Sequence, residues 1–427
     1  MKKTLALFGG PKIRKKPFKP HPVLGRDEKM EVISVLKTGV LSGFIAKAGE
    51  AFYGGPKVRL LEKLFCREFG ARHAVAMNSA TSALHAALLA VGVEPGDEVL
   101  VPPYTMSASA SAIVMCGGIP VFVDVEMERY CMDASKMEKL ITKRTKAVLV
   151  VHLFGHPADM RRIMKIARRH KLKVVEDCAQ APGAVYHGRP VGTIGDIGVF
   201  SLNQHKTITT GEGGVAVTSN KTFALKMQLV RNHGEVVSDH LPEAKHIACL
   251  GWNYRMCEIE AAIGIAQFKK LRRLTEHRIR LAEYLTSRLE RFPGLHLPRP
   301  ESGSKHVYFV YPIRIDMRAA GISRDAFVKA LGAEGIPFGA GYVRPIYLEP
   351  MYRKRKIYKR SHYPFSLQTG RNTRNYEKGS CPNTEYLYER GLMMTSLCRY
   401  PLRKKDMDQI IRAFAKIYAN AQFLESR

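Results

Sequence analysis

The chain runs to 427 residues, room for two domains with sizeable cores, and 45% of it is hydrophobic against 25% charged. That composition, with no low-complexity tract and no apolar run of membrane-spanning length, argues against a disordered tail and a helical membrane protein. Lysine and arginine number 68 against 38 aspartate and glutamate, a net charge of +30 that draws anions: nucleic acid, membrane headgroups or phosphorylated small molecules.

Residues 1–30 read as an arm rich in proline and basic residues, ending in Pro22-Val23-Leu24-Gly25. Its apolar opening stops at Phe8, too short for a secretory signal, so a cytoplasmic location is expected. Apolar spacing at Met30, Val32, Ile33, Val35 and Leu36 predicts a helix over 27–37. Leu60, Leu61, Leu64 and Phe65 predict a second over 58–69. From Ala74 strands and helices alternate. Strands are predicted over 74–77, 98–101, 121–123, 147–151 and 174–175, with helices over 83–91, 111–114, 134–141 and 160–170. Such alternation gives right-handed βαβ units and a largely parallel sheet, with ligands gathering at the carboxyl ends of its strands. Asn78 to Ser82, Pro102 to Met106 and Asp177 to Gln180 fall at those ends. Apolar runs at 199–200 and 215–217 then flank a polar segment holding Lys206 and the turn Gly211-Glu212-Gly213-Gly214. After a helix over 221–232, a long helical pattern runs from Glu258 to Arg291 and stops at Pro293-Gly294. Beyond it a strand is predicted over 306–315 and helices over 324–334 and 406–421. The segment 352–381 is polar, basic and poor in apolar residues, and reads as a long loop. The expected division is an arm (1–30), a large α/β domain (31–257), a connecting long helix (258–292) and a small C-terminal α+β domain (293–427) carrying the basic loop.

Eight cysteines lie scattered, without a Cys-x-x-Cys pair or a zinc-spaced cluster, which points to reduced thiols and no metal site. The basic residues are dispersed too. Their densest runs are KIRKK at 12–16, RKRKIYKR at 353–360 and Arg403-Lys404-Lys405, none in a recognisable nucleic-acid module. A solvated basic surface is the plain reading, and neither membrane nor nucleic acid is an expected partner.

Four features carry candidate chemistry. Ser79-Ala80-Thr81-Ser82 stands at a strand-to-helix junction, where small residues, hydroxyls and a helix N-terminus suit a phosphate, though Ser and Thr also serve there as ordinary caps. Asp177 ends a buried strand, where a carboxylate needs a cation or a donor, and Gln180 follows three residues on. Lys206, five residues after Ser201, lies between two buried runs, where desolvation lowers an amine's pKa and frees its lone pair. Asn253 and Arg255 form a polar turn before the long helix. Together these are the parts of a pyridoxal-phosphate site: an amine for a Schiff base, an acid for the ring nitrogen and a cradle for the phosphate.

The chain resembles the DegT/DnrJ/EryC1/StrS family of pyridoxal 5′-phosphate (PLP)-dependent sugar aminotransferases. The resemblance rests on NSATSALHAAL from Asn78, GDEVLVPPYT from Gly96, VVEDCAQAPGA from Val174, FSLNQHKTITTGEGG from Phe200 and LGWNYRM from Leu250, in the family's order. It implies the PLP-dependent transferase fold type I, aspartate aminotransferase-like, with a large mostly parallel sheet domain and a smaller α+β domain. It also implies that Lys206 forms the Schiff base and moves the proton, Asp177 pairs with the pyridinium nitrogen, and Gln180 contacts the phenolic oxygen. Thr81, Ser82 and Ser201 would hold the phosphate, which Asn253 would reach from the other subunit of a homodimer. The implied reaction is ping-pong, from L-glutamate or L-glutamine to a keto-sugar, nucleotide-linked or a free keto-cyclitol. Met106 stands where the family usually stacks an aromatic residue on the cofactor ring, and a thioether can still pack on a π face. A related branch replaces the lysine by histidine and dehydrates sugars. Here the register from Ser201 lands on Lys206 and not on His205, which favours transamination. A regulatory or nucleic-acid-binding protein retaining the fold is the alternative that the charge motivates.

Overall fold

The computed structural model describes residues 4–21, 24–244, 247–368 and 374–424. Pro22 and Val23 of the arm and residues 369–373 of the basic segment lie outside that set. Helices α1 (Arg26–Leu36) and α2 (Pro56–Phe69) precede the sheet. Then β1 (His73–Met77), α3 (Ala80–Ala90), β2 (Glu98–Val101), α4 (Ala108–Met115), β3 (Ile119–Phe122), β4 (Thr145–Val151), α5 (Met160–Arg169) and β5 (Lys173–Asp177) alternate. After a small hairpin, β6 (Val185–Tyr186) and β7 (Arg189–Pro190), come β8 (Ile197–Ser201), β9 (Gly214–Thr218) and α6 (Lys221–Arg231).

The central sheet has seven strands in the order β1-β9-β8-β5-β4-β2-β3. Only β9 runs against its neighbours, β1 and β8; the pairs from β8 through β5, β4 and β2 to β3 are all parallel. The expected mostly parallel sheet is therefore present. Its strands are largely buried on both faces: the parallel β4 lies under helices and reads as a nearly continuous apolar run, and the antiparallel β9 is fully buried as well. Helix α3 is buried almost all round, so its sequence is nearly all apolar and small.

The rest of the chain is α7 (Glu258–Phe268), α8 (Leu271–Leu289), β10 (Leu295–His296), β11 (Tyr311–Ile315), α9 (Met317–Ala320), α10 (Arg324–Ala333), β12 (Gly339–Ala340), α11 (Pro350–Arg353), α12 (Pro382–Tyr386), β13 (Leu392–Thr395) and α13 (Lys404–Tyr418). Strands β10-β11-β13-β12 form a second, antiparallel sheet. A second core lies against it, with Leu285, Leu289, Tyr311, Phe327 and Phe414 buried together, and Leu5 of the arm joins it.

Four stretches differ from the sequence expectation. The single long helix is two, α7 and α8, which meet at Lys269–Lys270. There the carboxylate of Glu28 takes hydrogen bonds from Gln267 Nε2 (2.7 Å) and Lys270 Nζ (2.5 Å), tying α1 to the join. The stretch 134–141 is two single 3-10 turns, because the Asp133 side chain accepts from the Ser135 N–H and favours a local turn. The strand expected from His306 begins only at Tyr311, since Tyr308 sits at φ 48° and its N–H is taken by His306 Nδ1. The basic segment is not poor in core residues: Tyr352, Phe365, Tyr376 and Cys381 are buried with Tyr347 against Phe122. Those aromatics are spaced among lysines and arginines, so no apolar periodicity announces them.

Candidate active site

The site grows from the carboxyl ends of β1, β5 and β8. After β1, Ser79 has extended backbone (φ −161°, ψ 159°) and its hydroxyl accepts from the Ser82 N–H at 3.0 Å, capping α3. Ser82 Oγ donates to Asn78 Oδ1 at 2.7 Å. Thr81, half-buried, makes no side-chain hydrogen bond among the described residues. Strand β9 closes on this turn. Gly214 pairs with Ser201 in the sheet, and a Cβ on Gly214 would stand 2.4 Å from the Ala80 nitrogen. Only a glycine lets β9 approach the start of α3 so closely. Thr81, Ser82 and Ser201 are thereby drawn to one edge of the sheet.

Asp177 ends β5 and is 5% exposed. Its Oδ2 accepts from Ser109 Oγ at 2.8 Å and its Oδ1 from the Ala179 N–H at 3.0 Å. No cation pairs with it among the described residues, an unusual condition for a buried carboxylate. Gln180 is held next to it. Its Oε1 accepts from the Phe154 N–H at 2.7 Å, and its Nε2 donates to the Tyr342 hydroxyl at 2.9 Å. Phe154 sits in the left-handed region (φ 59°), aiming that N–H at Gln180. Tyr104 accepts from the Tyr342 N–H at 2.8 Å and meets its ring edge-on, so the PPYT stretch props Tyr342.

Lys206 lies in the connection between β8 and β9. Burial lowers its pKa below the usual lysine value, and the charge of Asp177 acts the other way. The two groups the sequence paired are therefore within electrostatic reach. Lys206 Nζ stands 5.0 Å from the centre of the Phe309 ring. Behind it, His21 Nε2 bonds the Lys206 carbonyl oxygen at 3.1 Å. Burial brings His21 down to about 4, with Arg278 and Arg399 as the positive groups facing it. Arg278, itself buried and lowered to about 10 by burial, donates to the carbonyls of Tyr308 and Phe309.

The remaining sequence candidates sit apart from this set or at its rim. Met106 is 58% exposed at the approach to α4, one turn before Ser109. Asn253 is exposed, and its Oδ1 is taken by Arg255 Nε at 2.9 Å. The backbone beside it is fixed to the α3 turn by the Asn78 N–H, which donates to the Tyr254 carbonyl at 2.9 Å. His152, Glu176 and Cys178 cluster below Asp177 but offer no metal site. His152 accepts from the Ala158 N–H at Nδ1, so its Nε2 carries the proton donated to Glu176. Glu176 also takes the N–H groups of Gly192, Ile194 and Gly195, and burial pushes the Cys178 thiol far up. This is a clamp for the loop before β8, not a nucleophile. Sequence reasoning missed Ser109, Tyr342, Phe309 and His21. Tyr342, Phe309 and His21 reach the site from segments that hold no motif, and Ser109 follows the PPYT stretch without any spacing that singles it out.

The donor set fits PLP. An uncompensated buried carboxylate suits a protonated ring nitrogen, a desolvated amine suits a Schiff base, and the glycine-tightened turn at α3 suits a phosphate. A profile of the DegT/DnrJ/EryC1/StrS aminotransferase family matches residues 44–369. The chain belongs to that family. Aminotransferases of this family use PLP, and the chain is a PLP-dependent aminotransferase of the sugar-modifying kind. GDP-perosamine synthase of Caulobacter vibrioides is 40% identical over 294 residues, 68% of this chain and 77% of that protein. The solved aminotransferase of Psychrobacter cryohalolentis matches with a TM-score of 0.82 at 30% identity, over 95% of this chain and 100% of the other. DesI, solved in the presence of its TDP-sugar product, matches with a TM-score of 0.81 at 27% identity, over 99% and 98%. No helix of the described residues is long and apolar enough to cross a membrane.

Proposed function

We propose that this family member moves an amino group from L-glutamate or L-glutamine to a nucleotide-linked keto-sugar, in two half-reactions, as a cytoplasmic homodimer. The observation that carries the reading is the buried Asp177, without a cation among the described residues, within reach of a desolvated Lys206. PLP, when bound, supplies an electron sink that makes the hydrogen beside the transferred amino group acidic. Every other part is the chain's. Lys206 takes that proton at Nζ and returns it, a task its lowered pKa suits. Ser109 and the Ala179 N–H orient Asp177 for the ring nitrogen. Gln180, fixed at its oxygen by Phe154, keeps an amide N–H for the ring oxygen. Thr81 and the first N–H groups of α3 receive the phosphate, with Ser82 and Ser201 beside them. Phe309 shields the amine from water.

His205 is exposed and Lys206 is the half-buried one, which favours transamination over the histidine-dependent dehydration. A nucleotide-linked acceptor is favoured by what the relatives are named for, a GDP sugar and a TDP sugar, and by the +30 charge. A dimer is favoured by the apolar side chains left open on α1 and its flank: Leu24, Met30, Leu36, Val40 and Ile45 are each more than half exposed. Eight cysteines, none in a disulfide, suit a reducing compartment.

The test is the visible spectrum of the purified protein. A band from lysine-bound cofactor is expected, shifting with L-glutamate or L-glutamine and absent in Lys206→Ala. A protein that stays colourless after incubation with PLP overturns the reading. Nucleotide-linked keto-sugars and free keto-cyclitols, offered to the amino-loaded enzyme, identify the acceptor class.

A further inference from the structure

Two of the three densest basic runs do not stay apart in space. KIRKK of the arm and Arg403-Lys404-Lys405, near opposite ends of the chain, form the two sides of one cleft of about 770 Å³. Arg14, Lys15, Lys16 and Lys19 line the arm side; Arg403, Lys405 and Arg412 line the side of α13. The lone carboxylate of the lining, Asp406, is already used. Its Oδ1 meets Arg14 Nη1 at 3.0 Å and its Oδ2 takes the Arg403 N–H at 2.9 Å. Among the described residues no carboxylate pairs with Lys15, Lys16, Lys19, Arg403, Lys405 or Arg412. The third run, around Lys354 and Arg355, lines a separate hollow.

We propose that this cleft binds a compact polyphosphate anion, a linear chain of two or more phosphates. Cations held around one concave space raise each other's potential, and an anion that neutralises several at once relieves that repulsion. A single phosphate would fill little of the volume and meet few of the cations. The lining also lacks what other anionic partners need. Of the apolar arm residues at the cleft, Ile13 packs on the second core and Phe18 is covered by the Arg14 guanidinium at 3.8 Å, leaving no free anchor for a lipid surface. Tyr400 is met edge-on by His277 and faced by Arg273 at 5.6 Å, so it offers no free ring for stacking a base. The site is distinct from the phosphate cradle at α3, and the arm connects it to the Lys206 loop: Lys19 lies two residues before His21, which bonds the Lys206 carbonyl.

The ligand could be the diphosphate of a sugar nucleotide or a free polyphosphate, and the two share this chemistry. The test is titration calorimetry of the full-length, cofactor-loaded protein with sodium tripolyphosphate and, separately, uridine diphosphate, at low and high salt. Saturable binding at one site per chain is expected, weakened about tenfold by salt. The K16E/K405E/R412E variant should bind about tenfold less tightly while keeping its melting temperature and visible band. K354E/K356E/K359E, with the same change of net charge on the third run, should stay within about twofold of the parent. Comparable binding of uridine diphosphate assigns the substrate's own diphosphate; binding of tripolyphosphate alone assigns a free polyphosphate. Equal losses in the two variants, absence of saturable heat, or tighter binding of an oligonucleotide that displaces tripolyphosphate would each overturn the proposal.

Discussion

Gly214 decides how near the sheet comes to the turn that opens α3, the proposed phosphate cradle. Gly214→Ala forces a methyl against the Ala80 nitrogen, a backbone atom that cannot swing away. It should cost about 1–3 kcal/mol of unfolding free energy in denaturant titrations, and cofactor retention on dialysis should fall with it. Met106→Tyr should act in the opposite direction. An aromatic ring at this exposed position would gain about 0.5–1.5 kcal/mol of stacking, read as slower release of cofactor. His21 sets a pH dependence. In the unfolded chain it titrates near 6.5 and in place near 4, so between those values folding must expel a proton. The arm's grip on the Lys206 carbonyl should thus hold above about 6.5 and weaken as pH falls toward 4. Hydrogen exchange of the arm at stepped pH would show it, and His21→Gln should flatten the profile. Lys206 and Asp177 were legible in the sequence because each sits in a contiguous motif at a strand end. Tyr342, Phe309 and His21 were not, since what selects them is a partner more than a hundred residues away.

At the scale of elements, the basic segment is tied to the sheet by its buried aromatics against Phe122, by the Tyr376 hydroxyl on the Pro120 carbonyl, and by an ion pair from Arg374. Arg374 Nη2 meets Glu98 Oε2 at 2.6 Å, and Glu98 is fully buried at the start of β2. Burial alone would push the Glu98 carboxyl up; hydrogen bonds from Arg374, Thr142 and Arg144 prevail and hold it below the usual range. A depressed carboxyl gives stability that is present above its unfolded pKa and lost as pH falls through the folded one. Arg374→Ala should therefore cost about 2–3 kcal/mol at neutral pH and move the acid limb of the stability curve to higher pH. The segment should also become the first site of proteolysis, visible by limited digestion. The alternation of strands and helices was readable because the strands of the central sheet are largely buried on both faces and α3, α4 and α5 each stand between two of them. The break at Lys269–Lys270 was hidden because both sides keep a helical period and the carboxylate at the join comes from α1.

At the scale of the molecule, the proposed dimer makes each site depend on two chains. Lys206→Ala and Asn253→Ala proteins, mixed after gentle dissociation, should recover activity that neither has alone. Random exchange leaves one intact site in each hybrid, so recovery should approach about a quarter of the parental level. Recovery of nothing would place Asn253 in its own chain's site or outside any. The hairpin of β8 and β9 has a bearing on how such a protein can diverge. Both ends of the stretch from Leu202 to Gly213 are fixed, Ser201 by its parallel neighbour β5 through β8 and Gly214 by its pairing and its contact with α3. An insertion or deletion there would rotate the amine away from Asp177, whereas a replacement leaves the frame intact. Descendants of this chain can change their chemistry at position 206 by exchanging one side chain for another, but not by altering the loop's length.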